Sequence, residues 1–302
     1  MALKDIKTKI KATERMHKVT RAMEAVSAVK MRKTQITAFA GRSYARAAIS
    51  ILSRLSATKH GTGHPLAEHR ENGKLALVVI TSDKGLAGAL NSGVIKRAVE
   101  AIEGRNKEDV VIFAYGKKGE EFFKRREYEV RKAIENKSDD VTLSVMEEIT
   151  AEITEGFLSK EFNKVVAVYS NFKSTFEQIP TMRRLLPLSL PALKDIVGGI
   201  IPVKGKWSEI EEGEAPAAYE VEPGDDDVLG ILVPRLVSVA LYHMLLEAKA
   251  SEHSARMVAM KNASDNSKKV TEDLTRVYNK VRQAAITREV SEIVSGREAL
   301  AT

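Results

Sequence analysis

Apolar residues near both ends of the chain recur at alternating steps of three and four, which is the spacing of a coiled-coil seam. In the C-terminal part, the predicted seam positions are Met260, Ala263, Ser267, Val270, Leu274, Val277, Val281 and Ala284. In the N-terminal part, the predicted positions are Leu3, Ile6 and Ile10 and, after a break in phase, Met16, Val19, Met23 and Val26. Neither stripe is wide enough to bury its helix in a globular core, so we expect the two helices to bury each other.

Both end segments also have the composition of long helices. Residues 1–60 contain no proline and one glycine, and residues 235–295 contain neither. At about 1.5 Å per residue, a helix of roughly sixty residues is about 90 Å long, which is typical of a coiled coil. We therefore predict an N-terminal shaft helix over 1–60 and a C-terminal shaft helix over 234–302, with Pro234 in the first turn of the second.

Between these helices, strand-like and helix-like patterns alternate, as in an α/β domain. The predicted strands are 75–81, 110–115 and 164–170, with shorter pieces near 128–130 and 177–186. The predicted helices are 90–102, 117–126 and 141–159. We predict a Rossmann-like α/β domain over 74–190 and an irregular acidic return segment over 191–233. The fold class is therefore mixed α+β and α/β: an antiparallel coiled coil of long terminal helices with an inserted small α/β domain, whose sheet is mostly parallel.

Charge and cysteine content narrow the class of protein. The chain has no cysteine, which excludes disulfides, thiolate metal sites and cysteine nucleophiles. Residues 1–60 carry 14 Lys or Arg and 3 Asp or Glu, so the N-terminal end is strongly basic while the middle of the chain is acidic. This asymmetry predicts a negatively charged partner. We expect neither a secretory signal nor a membrane span, because no apolar run approaches the length that a span needs.

The stretch TSDKGLAGALN (81–91) follows an apolar strand and precedes a helix, which is where many proteins hold phosphate. Its glycines match neither the P-loop nor the dinucleotide-binding pattern, because Gly85, Gly88 and Gly93 have the wrong spacing. Asp83 would repel a phosphate group, although Lys84 would attract one. We therefore expect the glycines to serve close packing of helix on sheet rather than nucleotide binding.

Other candidate chemistry is weaker. His60, His64 and His69 are irregularly spaced in a Gly/Pro loop, so they do not make a convincing zinc site. The acid pairs Glu120–Glu121 and Glu147–Glu148 are adjacent in sequence, so on a helix their side chains point about 100° apart. The basic N-terminal helix could neutralise phosphates, but aromatic residues are few and no nucleic-acid reader motif occurs. We predict no catalytic residue, no cofactor, no metal and no nucleic-acid partner.

Several motifs together resemble the gamma subunit of F-type ATP synthases. They are KVTRAMEAVSAVKMRK (18–33), TSDKGLAGALN (81–91), QIPTMRRLLPL (178–188), ARMVAMKNASDN (255–266) and VYNKVRQAAITREVSEIVSG (277–296). The resemblance covers nearly the whole chain. It implies a non-catalytic rotor shaft, one copy per complex, inside a ring of three alpha and three beta subunits. It also implies that the α/β domain contacts the epsilon subunit and the membrane-embedded c-ring.

The resemblance further implies which residues contact the beta subunit, namely Met23, Arg282, Gln283, Thr287 and Glu289. It implies a shaft that couples proton flow through the c-ring to ATP synthesis or hydrolysis. The expected location is the cytoplasmic face of a bacterial plasma membrane, peripheral and reached through the c-ring alone. Plastid members carry a cysteine pair that this chain lacks, which favours a bacterial origin. Two alternatives stay open: a nucleotide-dependent enzyme built on the α/β domain, and a basic coiled-coil scaffold for an acidic partner or nucleic acid.

Overall fold

The computed structural model describes residues 3–40, 65–136, 142–189 and 225–301. The chain divides into two compact units. The first, which we call the rod unit, combines Met1–Ser27 with Met257–Thr302, and the second, the sheet unit, is Ala28–Arg256. Residues 41–60 of the predicted first helix and residues 191–224 of the predicted return segment lie outside the described residues.

Five helices and five strands form the regular structure of the described residues. In chain order they are α1 (Leu3–Ala40), β1 (Lys74–Ile80), α2 (Leu90–Ile102), β2 (Val110–Tyr115), α3 (Lys117–Lys124), β3 (Glu129–Ile134), α4 (Ser144–Leu158), β4 (Phe162–Phe172), β5 (Gln178–Leu186) and α5 (Asp225–Ala301). Short 3₁₀ turns lie at Pro65–Ala67 and Lys107–Asp109. Each predicted strand and helix of the α/β domain is confirmed, with shifts of a few residues at the ends.

The five strands make one sheet in the order β3-β2-β1-β4-β5. β1 pairs in parallel with β2 and β4, and β2 pairs in parallel with β3, so that Val78 lies between Phe113 and Ala167. β5 pairs antiparallel with β4, as expected for two strands joined by a short hairpin. The predicted sheet, mostly parallel, is therefore confirmed.

Alternate residues of the central strands enter two separate cores, one on each face of the sheet. Ala76, Val78 and Ile80 of β1 belong to a cluster with residues of α4 and α5, such as Phe157 and Val237. Leu75, Leu77 and Val79 belong to a second cluster, built with residues from α2 and α3, such as Val94 and Phe123. A strand buried on both faces reads as a continuous apolar run, which explains why LALVVI carries no polar alternation.

The last helix begins at Asp225 and contains Pro234 in its interior, so the predicted start at Pro234 is wrong. Residues 225–233, which we expected to be irregular, are helical. Proline removes one backbone hydrogen bond and crowds the preceding turn, but here burial opposes that cost. Val233, Leu236 and Val237 are at most 3% exposed and pack in the same cluster as the sheet.

The apolar start of α5 also bears on membrane insertion. Within Gly230–Arg297, one 18-residue window is apolar enough to cross a membrane by length and composition, contrary to our expectation. However, 72% of that window is buried inside the protein. The sequence therefore reflects a core helix of the sheet unit, and buried neighbours such as Leu241 and Leu245 account for its hydropathy.

In the rod unit, α1 and α5 are antiparallel. Thr13 Oγ1 lies 3.0 Å from Thr271 Oγ1, and His17 Nδ1 lies 2.9 Å from Ser264 Oγ, so α5 numbers fall as α1 numbers rise. On α1 a continuous three-four alternation of buried or half-buried positions, with half-buried Met23 beside it, consists of Leu3, Ile6, Ile10, Thr13, His17, Thr20, Glu24 and Ser27. On α5 the corresponding positions are Met257, Met260, Ser264, Ser267, Thr271, Leu274, Tyr278, Val281 and Ala285. The coiled coil is confirmed, but its seam agrees with the prediction only in part. The predicted residues that lie in the observed seam are Leu3, Ile6, Ile10, Met260, Ser267, Leu274 and Val281.

The remaining positions differ because polar residues lie in the seam where the hydrophobic pattern predicts their apolar neighbours. No break in phase occurs in α1, and Met16, Val19 and Val26 are more than half exposed, at 58%, 58% and 54%. On α5, Val270 and Val277 are 46% and 48% exposed, while Ser264 and Thr271 lie inside. Small hydroxyl side chains can enter the seam because each bonds to a carbonyl or to a partner across it.

Candidate functional site

The glycine turn after β1 contains a carboxylate side chain that occupies the position of an anionic ligand. Asp83 Oδ1 accepts hydrogen bonds from the backbone N–H of Lys117, at 2.9 Å, and of Asn136, at 3.0 Å. Lys117 is the first residue of α3, so the carboxylate of Asp83 lies where an anionic ligand would bind a helix N-terminus. A bound phosphate at this position would have to displace Asp83. The turn is therefore closed to phosphate by its own sequence.

Close packing accounts for two glycines near the turn, Gly116 and Gly93. Gly116, which precedes α3, has φ of 94°, and a Cβ atom there would lie 2.1 Å from the carbonyl oxygen of Thr81. Gly93 on α2 faces Pro180 of β5, and a Cβ atom there would lie 2.8 Å from Pro180 Cγ. Of the three glycines predicted to serve packing, Gly93 does so, whereas the prediction is wrong for Gly85 and Gly88, where a Cβ atom would meet nothing within 4 Å. Gly88 instead has a φ of 57°, which favours glycine. The packing role of Gly116 was not predicted.

The space behind the turn is too small for a nucleotide. The cavity there measures about 10 Å³ and is lined by residues that include Ser82, Asn136 and Glu252. Burial, followed by the charges of Asp83 and Glu252, raises the pKa of Tyr115 to about 12, so this phenol stays protonated at neutral pH. Within the described part of the sheet unit, the turn offers no room for a nucleotide.

The other candidate chemistry of the sequence also has structural roles. Glu120 and Glu121 pair with Lys124 and Lys118 on the surface of α3. His69 is exposed, whereas His60 and His64 lie outside the described residues. Across residues 3–40, 65–136, 142–189 and 225–301, no group of three or more metal-ligating side chains comes together.

The C-terminal part of α5 presents a bare helical surface. Every described side chain from 286 to 297 is exposed. Four of these are large apolar residues: Ile286 (51%), Val290 (54%), Ile293 (71%) and Val294 (50%). Apolar side chains at this spacing on one helix mark a surface that a partner covers. We call this surface, which runs from Arg282 to Val294, the tip face.

The residues predicted to contact a partner lie on this surface. Arg282, Gln283, Thr287 and Glu289 are all exposed. With 100° between successive residues, they and the four apolar residues fall within an arc of about 160° on α5. Thr287 donates its hydroxyl hydrogen bond to the carbonyl oxygen of Gln283, at 2.9 Å, within its own helix. The structure thus brings four of the five predicted contact residues together on one face.

The fifth predicted residue, Met23, lies on α1 and is half-buried. Its neighbours Met16, Val19 and Val26 are exposed, and sequence reasoning missed them because it placed them inside the seam. The competing polar alternation, in which Thr13 and His17 follow Ile10, was the signal that could have identified them. Together they form an apolar stripe on the outside of the rod unit.

Positive charge surrounds that apolar stripe on α1. The exposed basic residues between Leu3 and Ser27 are Lys4, Lys7, Lys9, Lys11, Arg15, Lys18 and Arg21. Acidic residues in the same range are few: Asp5 and Glu14 are exposed, and Glu24 is half-buried. An apolar stripe with a strongly basic margin suits an acidic protein partner that also offers apolar contacts.

Comparisons with known proteins agree with this geometry. A family model described as ATP synthase matches residues 2–300. The ATP synthase gamma chain of Roseiflexus castenholzii is 40% identical over 302 residues, which cover 99% of this chain and 98% of that protein.

Solved structures of the same class share the fold. The central stalk and c-ring structure of Tetrahymena thermophila mitochondrial ATP synthase includes a chain with a TM-score of 0.58 at 23% identity, covering 82% of this chain and 99% of that one. A chain in the Euglena gracilis mitochondrial ATP synthase structure of OSCP, F1 and c-ring has a TM-score of 0.64 at 17% identity, covering 99% of this chain and 94% of that one. The family match, the curated relative and the shared fold agree, and the chain therefore belongs to the ATP synthase gamma chain family.

Proposed function

We propose that this chain is the central rotor shaft of an F-type ATP synthase and has no active site of its own. One observation carries the proposal: the tip face is a helical surface with four exposed large apolar residues and no buried residue from 286 to 297. Exposed apolar area of this kind is costly in water unless a partner covers it. A surrounding ring of subunits would cover it on all sides.

The shape of a two-helix rod explains how it would act inside such a ring. Two antiparallel helices have no three-fold symmetry, so three identical neighbours must each meet a different side of the rod. The three neighbours are then held in different conformations, which gives them different affinities for nucleotide. Turning the rod exchanges these conformations in order.

Coupling through the rod works in both directions. If the angle of the rod changes nucleotide affinity in the ring, nucleotide binding must bias the angle of the rod by the same free energy. Hydrolysis in the ring would turn the rod, and proton flow through a membrane ring would turn it to drive synthesis. The chemistry belongs to the ring subunits, and this chain transmits rotation.

The partners follow from the same proposal. Three alpha and three beta subunits would surround the rod unit, with an acidic beta segment facing the basic residues of α1. Arg282 would make charge-assisted hydrogen bonds to beta, with Gln283, Thr287 and Glu289 beside it and Met23 on the other helix. The sheet unit would contact the epsilon subunit and the c-ring, which places one copy of the chain, peripherally, at the cytoplasmic face of a bacterial plasma membrane.

The first experiment is a gentle purification of the tagged chain from its native membranes. Mass spectrometry gives the identity and stoichiometry of its partners, and an ATPase assay is run on the same sample. The proposal expects one copy of this chain with three copies each of two larger nucleotide-binding chains, together with ATPase activity.

Two other results would overturn the proposal and identify its rivals. A chain that emerges with DNA or RNA, with binding that falls steeply as salt rises, would indicate a basic scaffold. A chain that emerges alone and binds one ATP would indicate a nucleotide-dependent enzyme, and would contradict the closed turn at Asp83.

A further inference from the structure

A short polar segment of α5 is bonded to the sheet unit on two sides of the helix. Its members are Ser251, Glu252, Ser254 and Arg256, and we call them the polar collar. Ser251 and Ser254 are completely buried, and Glu252 is 9% exposed. The sheet unit ends at Arg256, while α5 continues to Ala301, so the collar lies where the helix leaves this unit.

On the first side, the collar is bonded to the glycine turn. Glu252 Oε2 accepts a hydrogen bond from Asn136 Nδ2 at 3.1 Å, and Asn136 also donates to the carbonyl oxygen of Thr81 at 3.3 Å. Glu252 Oε1 pairs with Arg256 at 2.7 Å, and the same Arg256 nitrogen lies 3.4 Å from the carbonyl oxygen of Gly85. Two contacts thus leave the helix: Arg256 reaches the turn directly, and Glu252 reaches it through Asn136.

On the second side, the collar is bonded to the region of the β4–β5 hairpin. Ser251 donates its hydroxyl hydrogen bond to the carbonyl oxygen of Ser170 at 2.9 Å. Ser254 donates to the carbonyl oxygen of Thr175 at 2.7 Å and accepts from Gln178 Nε2 at 3.4 Å. With 100° between successive residues, the two serines lie about 60° apart on α5 and face away from Glu252 and Arg256.

Polar contacts on two sides of a helix restrict its sliding and rotation more strictly than apolar packing does. The apolar residues of α5 that precede the collar hold the helix against the sheet, but apolar contact is non-directional and tolerates small slides and rotations. A buried hydrogen bond is directional, and a shift of about an ångström leaves a buried polar group without its partner, which is costly. The collar therefore fixes both the axial position and the rotation of α5.

We propose that the polar collar is a register lock through which torque passes between the sheet unit and the last helix. The proposal rests on the proposed rotor function, because a lock against rotation matters in a chain that transmits rotation. Without the collar, α5 would keep its place in the apolar core but would turn more freely about its own axis under load.

The first test measures angular stiffness in the assembled complex. The complex is immobilised through its ring, and a bead is attached to a cysteine introduced at the exposed Lys107, which is the single cysteine of this chain. The collar variant is Ser251→Ala with Ser254→Ala. The control is Ser238→Ala, a buried serine of the same helix whose hydroxyl bonds to the carbonyl oxygen of Pro234, within its own helix.

The expected result is that the angular variance of the stalled bead rises roughly two-fold or more in the collar variant, and stays at the wild-type value in the control. A collar variant that rotates with wild-type angular variance would overturn the register lock. A wild-type bead that does not rotate with ATP would overturn the proposed function instead, so the two failures are distinguishable.

A second measurement tests the register lock in the isolated chain, without rotation of the complex. Amide hydrogen exchange is measured on the purified full-length chain over residues 248–256. Loss of the three hydrogen bonds made by Ser251 and Ser254 should speed exchange there by roughly ten-fold or more in the collar variant. Exchange should stay unchanged in Ser238→Ala. Equal exchange in the collar variant and the wild type would contradict the lock.

Discussion

His17 on α1 contacts Ser264 on α5 with a single ring nitrogen. Nδ1 lies 3.0 Å from the carbonyl oxygen of Ser264 and 2.9 Å from its hydroxyl oxygen. Both residues lie in the seam of the coiled coil, where a leucine would be the ordinary occupant. A polar pair inside a seam sets the register of two helices, because any other register separates the pair.

The first prediction concerns this pair. Ser264→Ala removes the hydroxyl contact to His17 and should lower the free energy of opening of the rod unit by about 1 kcal/mol. Hydrogen exchange of amides 13–20 in the full-length chain measures this change. Ser291→Ala, at an exposed position of the same helix, is the control and should leave exchange unaltered. Equal exchange in both variants would show that the hydroxyl contact to His17 does not stabilise the rod unit.

The second prediction tests the corrected seam. Ile6 is 1% exposed, whereas Val19, which the sequence pattern placed inside, is 58% exposed. Ile6→Ala should therefore destabilise the rod unit by roughly 2 kcal/mol or more, because it leaves a cavity. Val19→Ala should change stability by less than about 0.5 kcal/mol. Hydrogen exchange of α1 amides gives both values, and a larger effect at Val19 would restore the original seam.

The third prediction concerns the backbone beside the glycine turn. Gly116→Ala should destabilise the sheet unit by roughly 3 kcal/mol or more, because a Cβ atom would overlap the carbonyl oxygen of Thr81 and the φ of 94° is unfavourable for alanine. Gly85→Ala is the matched control, since a Cβ atom there meets nothing within 4 Å. Chemical denaturation followed by far-UV circular dichroism gives the free energy of unfolding of both variants. A Gly116→Ala protein as stable as the control would contradict the contact.

The fourth prediction tests the tip face. Arg282→Ala should reduce ATP-driven proton pumping per ATP hydrolysed, because it removes a charge-assisted contact to the ring, while the sheet unit stays folded. Arg288→Ala is the control, since Arg288 is equally exposed but lies on the other side of α5. Unchanged pumping in Arg282→Ala vesicles would count against the proposed contact.

The fifth prediction concerns pH. Arg131 bonds to both carboxylate oxygens of Glu161, at 2.7 and 2.9 Å, and these hydrogen bonds hold the pKa of Glu161 below its usual value. A lowered pKa means that this stabilisation is complete above the pKa of the unfolded state and is lost as pH falls through the folded-state pKa. Glu161→Gln should therefore be less stable than the wild type at pH 7, and the difference should shrink under acid.

The control for the pH prediction is Glu103→Gln. Glu103 makes no ion pair with any residue in the described part of the chain. The difference between this variant and the wild type should stay small at every pH. A Glu161→Gln difference that persists unchanged at pH 3 would show that the ion pair is not its cause.

The α/β domain was predictable because its strands are buried on both faces. Runs such as LALVVI are short, rich in β-branched residues and bounded by polar turn residues, which favours a buried strand over a helix. The closed state of the turn was only partly predictable. Asp83 was visible as a carboxylate that repels phosphate, but its bonds to Lys117 and Asn136 join segments distant in sequence, and no spacing rule reports them.

The seam and the start of α5 were not predictable by hydrophobic pattern alone. In the seam, the hydroxyl groups of Thr13 and Ser264 are satisfied by hydrogen bonds, so these polar residues can be buried. A heptad pattern drawn through the apolar residues beside them therefore has the wrong phase. At Pro234, a local rule against proline was overcome by burial of Val233 and Leu236 against the sheet. At the seam and at the start of α5, tertiary contacts outweigh the local sequence preferences from which the predictions were made.

The hydroxyl seam has a consequence for the order of folding. Thr13 and Thr271 each also bond to a carbonyl oxygen of their own helix, so either helix is satisfied before it meets the other. Their contact joins residues 258 positions apart, and contacts of such separation form late. The two helix ends can therefore meet at any stage of folding without leaving a buried hydroxyl group unbonded beforehand.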